Sequence, residues 1–350
     1  MSPHLALPLL LLCVSCGMFF SSGAVAQVTA TGKQLVMDES KGNCVACHQF
    51  PDDPAIASRA TVGPALGAIK TRYPSRGKLA AVIRDQSASN PNTIMPPYGK
   101  HKILTEREIE AIVDYLWSST RATDMATADA PPPVQINPAT YATTLARGKQ
   151  LWERKFKSGR SLASCFPNGA RRVAATYPQF HSHSRQVITL ELAINHCLKL
   201  HGEREIDPTD QTTLALLTAY ARSLSDDQRT HVRVQTAGAK EKLAAGRKLF
   251  FARTGQQNQA CASCHVQHAG NILRDRTLST AIGQSAQWPR FDRRGVLTTL
   301  QMQYQRCLQR MGATPAALGS EDLNDLEFFH THLSNGLPLK SLPVNSAVTP

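Results

Sequence analysis

No Lys, Arg, Asp or Glu precedes Lys33. The apolar run over residues 5–20 therefore has no basic flank, and it is short for a bilayer span. Both facts argue against a membrane anchor. Ala24-Val25-Ala26 is a small-x-small cleavage signal, so residues 1–26 are expected to be a signal peptide cut before Gln27. A lipoprotein signal at Cys16 wants a leucine that is missing, because Cys13 stands in its place. No later stretch is long and apolar enough to span a bilayer. Acidic residues are scarce too: 26 Asp and Glu face 39 Lys and Arg, a net charge of +13. Most of the excess lies beyond residue 125. An exported protein rarely meets nucleic acid, so small anions or an acidic protein are the expected partners of that charge. A chain of 350 residues is too long for one small domain, and two or three are expected.

Cysteines are the informative residues. Nine occur, and seven remain once Cys13 and Cys16 are set aside with the signal peptide. An odd number cannot all pair within one chain. Four sit in "CVACH" (Cys44, Cys47, His48) and "CASCH" (Cys261, Cys264, His265). C-x-x-C-H is the attachment motif of c-type haem. Two thiols add to the two vinyl groups on one porphyrin edge, and the next histidine reaches the iron. A redox pair or half a zinc site would need that histidine by chance, twice. Two covalent haems are expected, with His48 and His265 as axial ligands. Cys165, Cys197 and Cys307 are left over.

An internal repeat sorts these three. "ARGKQLWERK" (146–155) matches "AAGRKLFFAR" (244–253), and "LASCF" then falls where "CASCH" falls. Next come "YPQF" (177–180) and "WPRF" (288–291), then "TLELAINHC" (189–197) and "TLQMQYQRC" (299–307). Both copies close on an amphipathic helical pattern. Four blocks in one order point to a duplicated module. In the middle copy Leu162 replaces the first haem cysteine and Phe166 the histidine, so its haem is expected to be lost. Cys165 and Cys197 can then close a disulfide; two free buried thiols are the alternative. Cys307 is left facing a haem, and a thiolate is a good sixth ligand. The alternatives for it are a buried thiol or an intermolecular disulfide.

The first module is a simpler relative. It opens "TGKQL" and ends "TEREIEAIVDYLWSS", where Thr105 and Glu108 form a capping box. Between them, Met95 lies in the proline-rich "NTIMPPYG", where a small cytochrome c keeps its sixth ligand. Met37 and Met125 compete poorly by position. "ATADAPPPVQINP" (126–138) reads as a semi-rigid linker. The expected architecture is mainly α: three tandem cytochrome c-like modules, the middle one without haem. The expected bounds are 27–122 for the first domain, 123–139 for the linker, 140–235 for the haem-less domain and 236–350 for the last.

These motifs together resemble the SoxAX cytochromes of bacterial thiosulfate oxidation, with both subunits fused. Residues 27–122 resemble SoxX, through "CVACH" and "NTIMPPYG". Residues 140–340 resemble SoxA, through "SCFPNGARRVAATYPQF", "TLELAINHC", "CASCH", "QYQRC" and "SNGLPL". The degenerate "LASCF" matches members that keep one haem in the SoxA part. The resemblance implies a periplasmic enzyme of the L-cysteine S-thiosulfotransferase type. It would join thiosulfate oxidatively to a cysteine of a SoxYZ-like carrier and pass two electrons to an external acceptor, a small c-type cytochrome. The family's active residue is the cysteine ligand, carried as a persulfide; by position that is Cys307. One departure stands out. The family usually has an arginine one helical turn earlier, and here that position is Gln303. Arg306, next to the cysteine, points about 100° away on a helix. Both are taken as candidate substrate residues.

The residues agree with a small dianionic substrate. Residues 246–310 carry ten Lys or Arg against only Asp275 and Asp292. Such a field concentrates anions and favours a thiolate. His268 is displaced from the iron position and reads as a surface or core histidine. Two other functions remain open: a thiosulfate dehydrogenase forming tetrathionate, and a pure electron-transfer cytochrome.

Overall fold

The structure is a computed structural model and describes residues 30–119, 137–292 and 294–340. The expected signal peptide, most of the linker with Met125, Arg293 and the last ten residues lie outside the described residues. Ten α-helices are described. The first part holds α1 (Gly32–Met37), α2 (Ile69–Arg72), α3 (Arg76–Asp85) and α4 (Glu106–Ser118). The middle part holds α5 (Pro138–Glu153), α6 (Leu190–Leu200) and α7 (Gln211–Ser223). The last part holds α8 (Ala237–Phe251), α9 (Leu300–Arg310) and α10 (Glu321–His332). Strands are few and short: three antiparallel pairs, β1 (Gln179–His181) with β2 (Gln186–Ile188), β3 (Ile272–Leu273) with β4 (Arg276–Thr277), and β5 (Arg290–Phe291) with β6 (Leu297–Thr298). No helix among the described residues is long and apolar enough to cross a membrane. The tandem order is compatible with cytochrome c-like modules.

The same helix crossing recurs in each part, and glycine permits it. A Cβ on Gly32 of α1 would lie 2.0 Å from the Ala111 carbonyl oxygen of α4. On Gly148 of α5 it would lie 2.4 Å from the Leu216 oxygen of α7, and on Gly246 of α8, 1.9 Å from the Asp325 oxygen of α10. The "GKQL" and "GRKL" blocks are thus read in space as one device, which lets two helix backbones touch. The capping box of Thr105 and Glu108 is formed, with Glu108 accepting from the Thr105 backbone N–H at 2.8 Å.

Both "TL" blocks also begin alike. Thr189 caps α6 and Thr299 caps α9, each accepting from a backbone N–H one turn on. Each cap follows a hairpin, β1–β2 or β5–β6. The hairpins are exchanged between the two copies: β2 packs on α10, and β6 on α7. Val187 of β2 shares a core with Phe328 of α10. The middle core takes in side chains of the "LASCF" segment. Leu162 and Phe166 are buried within it, and Phe166 lies 5.1 Å from Trp152, ring to ring. The expected Cys165–Cys197 disulfide is closed, spanning 32 residues of sequence.

Aromatics of the "YPQF" and "WPRF" blocks suit the packing of a haem crevice or a core. Trp288 packs in this way, 3% exposed. Their polar neighbours Gln179 and Arg290 additionally form strands, which short proline-containing segments do not announce.

Candidate functional site

Two candidate haem sites adjoin one another. In the first, Cys44 opens a tight turn (Cys44–Ala46), Cys47 caps its end and His48 follows. The His48 Nδ1–H donates to the Pro64 carbonyl at 2.6 Å, which leaves Nε2 as the free ring nitrogen. Gly63 presses on the ring: a Cβ there would lie 2.3 Å from Cε1. Burial holds the imidazole below its ordinary pKa, so it stays neutral, as a metal ligand must. Met95 packs against the core that also takes in Cys44 and Tyr98. The Tyr98 hydroxyl donates to the Gly42 carbonyl at 2.6 Å. A neutral, oriented histidine, two thiols and a thioether are a donor set that suits a covalent haem.

The second site repeats the plan with a different sixth donor. His265 donates from Nδ1 to the Ser279 carbonyl at 2.9 Å, and its backbone carbonyl receives the Ala281 N–H at 2.9 Å. Burial keeps this imidazole below its usual range as well. Cys307, on α9, is near both attachment thiols. Burial first, and then Cys307, push Cys261 to about 12 and Cys264 to about 11. Cys307 itself is partly buried. Burial raises its thiol, opposed by Arg310, a hydrogen bond from Gln303, then Arg290 and Arg306. Gln303 lies one turn before it and donates from Nε2 to Sγ at 3.3 Å.

Arg306 is engaged elsewhere. Its Nη1 meets Asp292 at 2.9 Å and the Thr298 hydroxyl at 3.1 Å, tying α9 to the β5–β6 hairpin. His268 ends the short turn that carries His265 and meets Asn271 at 3.2 Å.

Sequence reasoning missed the supporting shell. Tyr304, three residues before Cys307, donates to His330 Nδ1 at 2.8 Å. His330 in turn donates from Nε2 to the Ala281 carbonyl at 3.2 Å. A buried relay thus links the Cys307 helix to the loop behind His265. His330 is 2% exposed, and burial lowers its pKa to about 4. Its place in the "HTH" of the last helix gave no signal of this.

The two sites share an interface. Arg253 donates to the Thr93 carbonyl at 2.6 Å and Gln259 to the Ile94 carbonyl at 3.1 Å, both immediately before Met95. The Arg274 N–H reaches the Ala46 carbonyl, inside "CVACH", at 2.7 Å. Its guanidinium pairs with Glu39. Thr61 and Ile272 exchange two hydrogen bonds, at 2.9 and 2.8 Å. Burial first, and then Cys264, raise the Cys47 thiol.

Comparison with known proteins gives the family. A family model described as SoxA/TsdA, cytochrome c domain, matches residues 147–229 and 245–339. A cytochrome c model matches residues 29–120. The chain is 39% identical over 198 residues to the L-cysteine S-thiosulfotransferase subunit SoxA of Chlorobaculum tepidum, spanning 56% of this chain and 68% of that one. The same subunit of Allochromatium vinosum is 35% identical over 203 residues, 57% of this chain and 71% of that one. The crystal structure of SoxXA from P. pantotrophus has a similar fold, with a TM-score of 0.53 at 23% identity, over 58% of this chain and 77% of that one.

Proposed function

Because the chain belongs to the SoxA/TsdA cytochrome c family, we propose that it is a periplasmic c-type dihaem cytochrome of the L-cysteine S-thiosulfotransferase type, with a SoxX-like module fused to a SoxA-like part. Its reaction couples thiosulfate to a cysteine of a SoxYZ-like carrier. A carrier thiolate and thiosulfate form one sulfur–sulfur bond, giving a carrier S-thiosulfonate and releasing two electrons. Bound haems supply the one-electron acceptors that this oxidation needs, and a small external c-type cytochrome takes the electrons on. Cys44, Cys47 and His48 with Met95 hold the first haem. Cys261, Cys264 and His265 with Cys307 hold the second. Residues 140–235 carry none.

The carrying observation is Cys307: a sulfur beside a C-x-x-C-H site, receiving a hydrogen bond from Gln303 and facing arginines. Cys307 acts as ligand and as the sulfur-handling group, held as a persulfide. Gln303 steers the sulfur, and Arg306, through Asp292 and Thr298, holds the wall beside it. A signal peptide, residues 1–26, delivers the chain.

The test is Cys307→Met with thiosulfate and a cysteine-bearing carrier. A thioether keeps the iron six-coordinate but cannot accept or pass on sulfur, so conjugation is lost while the low-spin spectrum stays. Wild-type conjugation by the variant reduces Cys307 to a ligand and the protein to an electron shuttle. Tetrathionate formed without any carrier identifies a thiosulfate dehydrogenase instead.

A further inference from the structure

Thiosulfate brings two negative charges to Cys307, and Gln303 offers none in return. The neighbouring cations are mostly committed: Arg306 to Asp292, Arg253 to the Thr93 carbonyl, Arg274 to Glu39. Arg310 stands at the exposed end of α9. Arg290 differs from all of these. It is half-buried, and its guanidinium carbon sits 4.3 Å over the Trp288 ring. No carboxylate among the described residues pairs with it. Burial disfavours its charge, and a thiolate at nearby Cys307 would favour it. A guanidinium held partly out of water without a counter-anion is costly, so a site that keeps one has an anion to receive.

The backbone fixes where Arg290 stands. It pairs with Thr298 in the β5–β6 ladder, and the next residue, Thr299, caps the helix that carries Gln303 and Cys307. The middle copy is a natural control. There Gln179 pairs with Ile188, just before the Thr189 cap, in the place of Arg290. Its side chain donates to the Thr176 hydroxyl at 2.7 Å, and Cys197, in the place of Cys307, is locked in a disulfide. The copy without a free sulfur also lacks the cation.

We propose that Arg290 is the substrate-binding cation of the Cys307 site, holding the sulfonate end of thiosulfate so that its outer sulfur meets Cys307. This rests on the transferase reading for its substrate. A second anion of suitable chemistry is a propionate of the haem itself, and the experiment separates the two. Arg290→Gln, the residue of the middle copy, and Arg290→Lys are prepared as holoproteins. Thiosulfate affinity is measured by calorimetry on oxidised protein without carrier; KM and kcat are measured with carrier; haem content and the low-spin spectrum are recorded.

The expected result for Arg290→Gln is a rise of about 10–100-fold in both Kd and KM, the loss of one charge-assisted hydrogen-bonded anion contact. Haem content and spectrum stay as in wild type, and Arg290→Lys recovers part of the affinity. An unchanged Kd in Arg290→Gln overturns the assignment. So does haem loss or a shifted spectrum with thiosulfate affinity intact, which places the arginine on a propionate. If wild type binds thiosulfate, Arg290→Gln does not, and no carrier conjugate forms with either, the arginine assignment holds and the transferase reading falls.

Discussion

Cys307 and Met95 are the residues on which the two proposed haem sites differ. A thioether ligand raises a haem potential, whereas a thiolate donates charge and stabilises ferric iron. Met95→Ala is expected to abolish the thioether-to-iron charge-transfer band, while Met37→Ala, at an exposed position, leaves it; a band surviving in both variants refutes Met95 as ligand. His330 makes a different prediction. Burial lowers its pKa from 6.5 to about 4. Between those values the unfolded chain binds the proton and the folded chain does not. Its contribution to stability is therefore complete above pH 6.5 and is lost as the pH falls towards 4, by up to about 3 kcal/mol. Urea unfolding of His330→Gln should show a shallower pH slope than wild type in that window; equal slopes remove His330 from the account. The C-x-x-C-H motifs were legible in sequence because haem attachment fixes their spacing. The Pro64 and Ser279 carbonyls that orient the two histidines lie on loops whose path no spacing rule gives. His330 reaches Tyr304 only through tertiary packing, so a lone sequence shows neither.

Among the elements, the paired crossings of α1 on α4, α5 on α7 and α8 on α10 carry the repeat. Glycine inside α8 costs about 1 kcal/mol against alanine in propensity. The Asp325 oxygen, 1.9 Å from a Cβ on Gly246, reverses that preference. Gly246→Ala is expected to destabilise by about 1–3 kcal/mol through overpacking, net of the propensity gain, read as a lower urea midpoint; a stabilised variant shows that α8 and α10 are free to separate. The middle copy is held differently. Its aromatic core and the Cys165–Cys197 link stand where the last copy has Cys264 and Cys307. Cys197→Ser should cost about 2–5 kcal/mol, with the haem spectra unchanged. A spectral change on that substitution places a haem in the middle copy after all. The repeat was readable because its blocks sit on helices and caps, whose signals are local. The exchange of hairpins between the copies was not, since β2 on α10 is a contact between segments far apart in sequence.

At the scale of the whole molecule, the first and last parts meet through backbone groups that belong to the two sites themselves. The Ala46 carbonyl lies inside one C-x-x-C-H motif, and Gln259 stands two residues before the other. The Thr93 and Ile94 carbonyls precede Met95. One chain therefore brings the two proposed haem sites, one at Cys307 and one at Met95, together without a diffusional encounter. Two attachment motifs predict two covalent haems per chain, counted by pyridine haemochrome. The ligand sets predict a direction as well: electrons released at Cys307 run from the harder-to-reduce haem to the easier one at Met95. If this transfer is internal, thiosulfate and carrier should reduce the Met95 haem at a rate that does not change on diluting the cytochrome at fixed substrate and carrier concentrations. Stopped-flow absorbance over a series of cytochrome concentrations measures it. A rate constant that rises in proportion to cytochrome concentration means that electrons pass between molecules, and the interface of Arg253, Gln259 and Arg274 then holds the parts together without serving as the route.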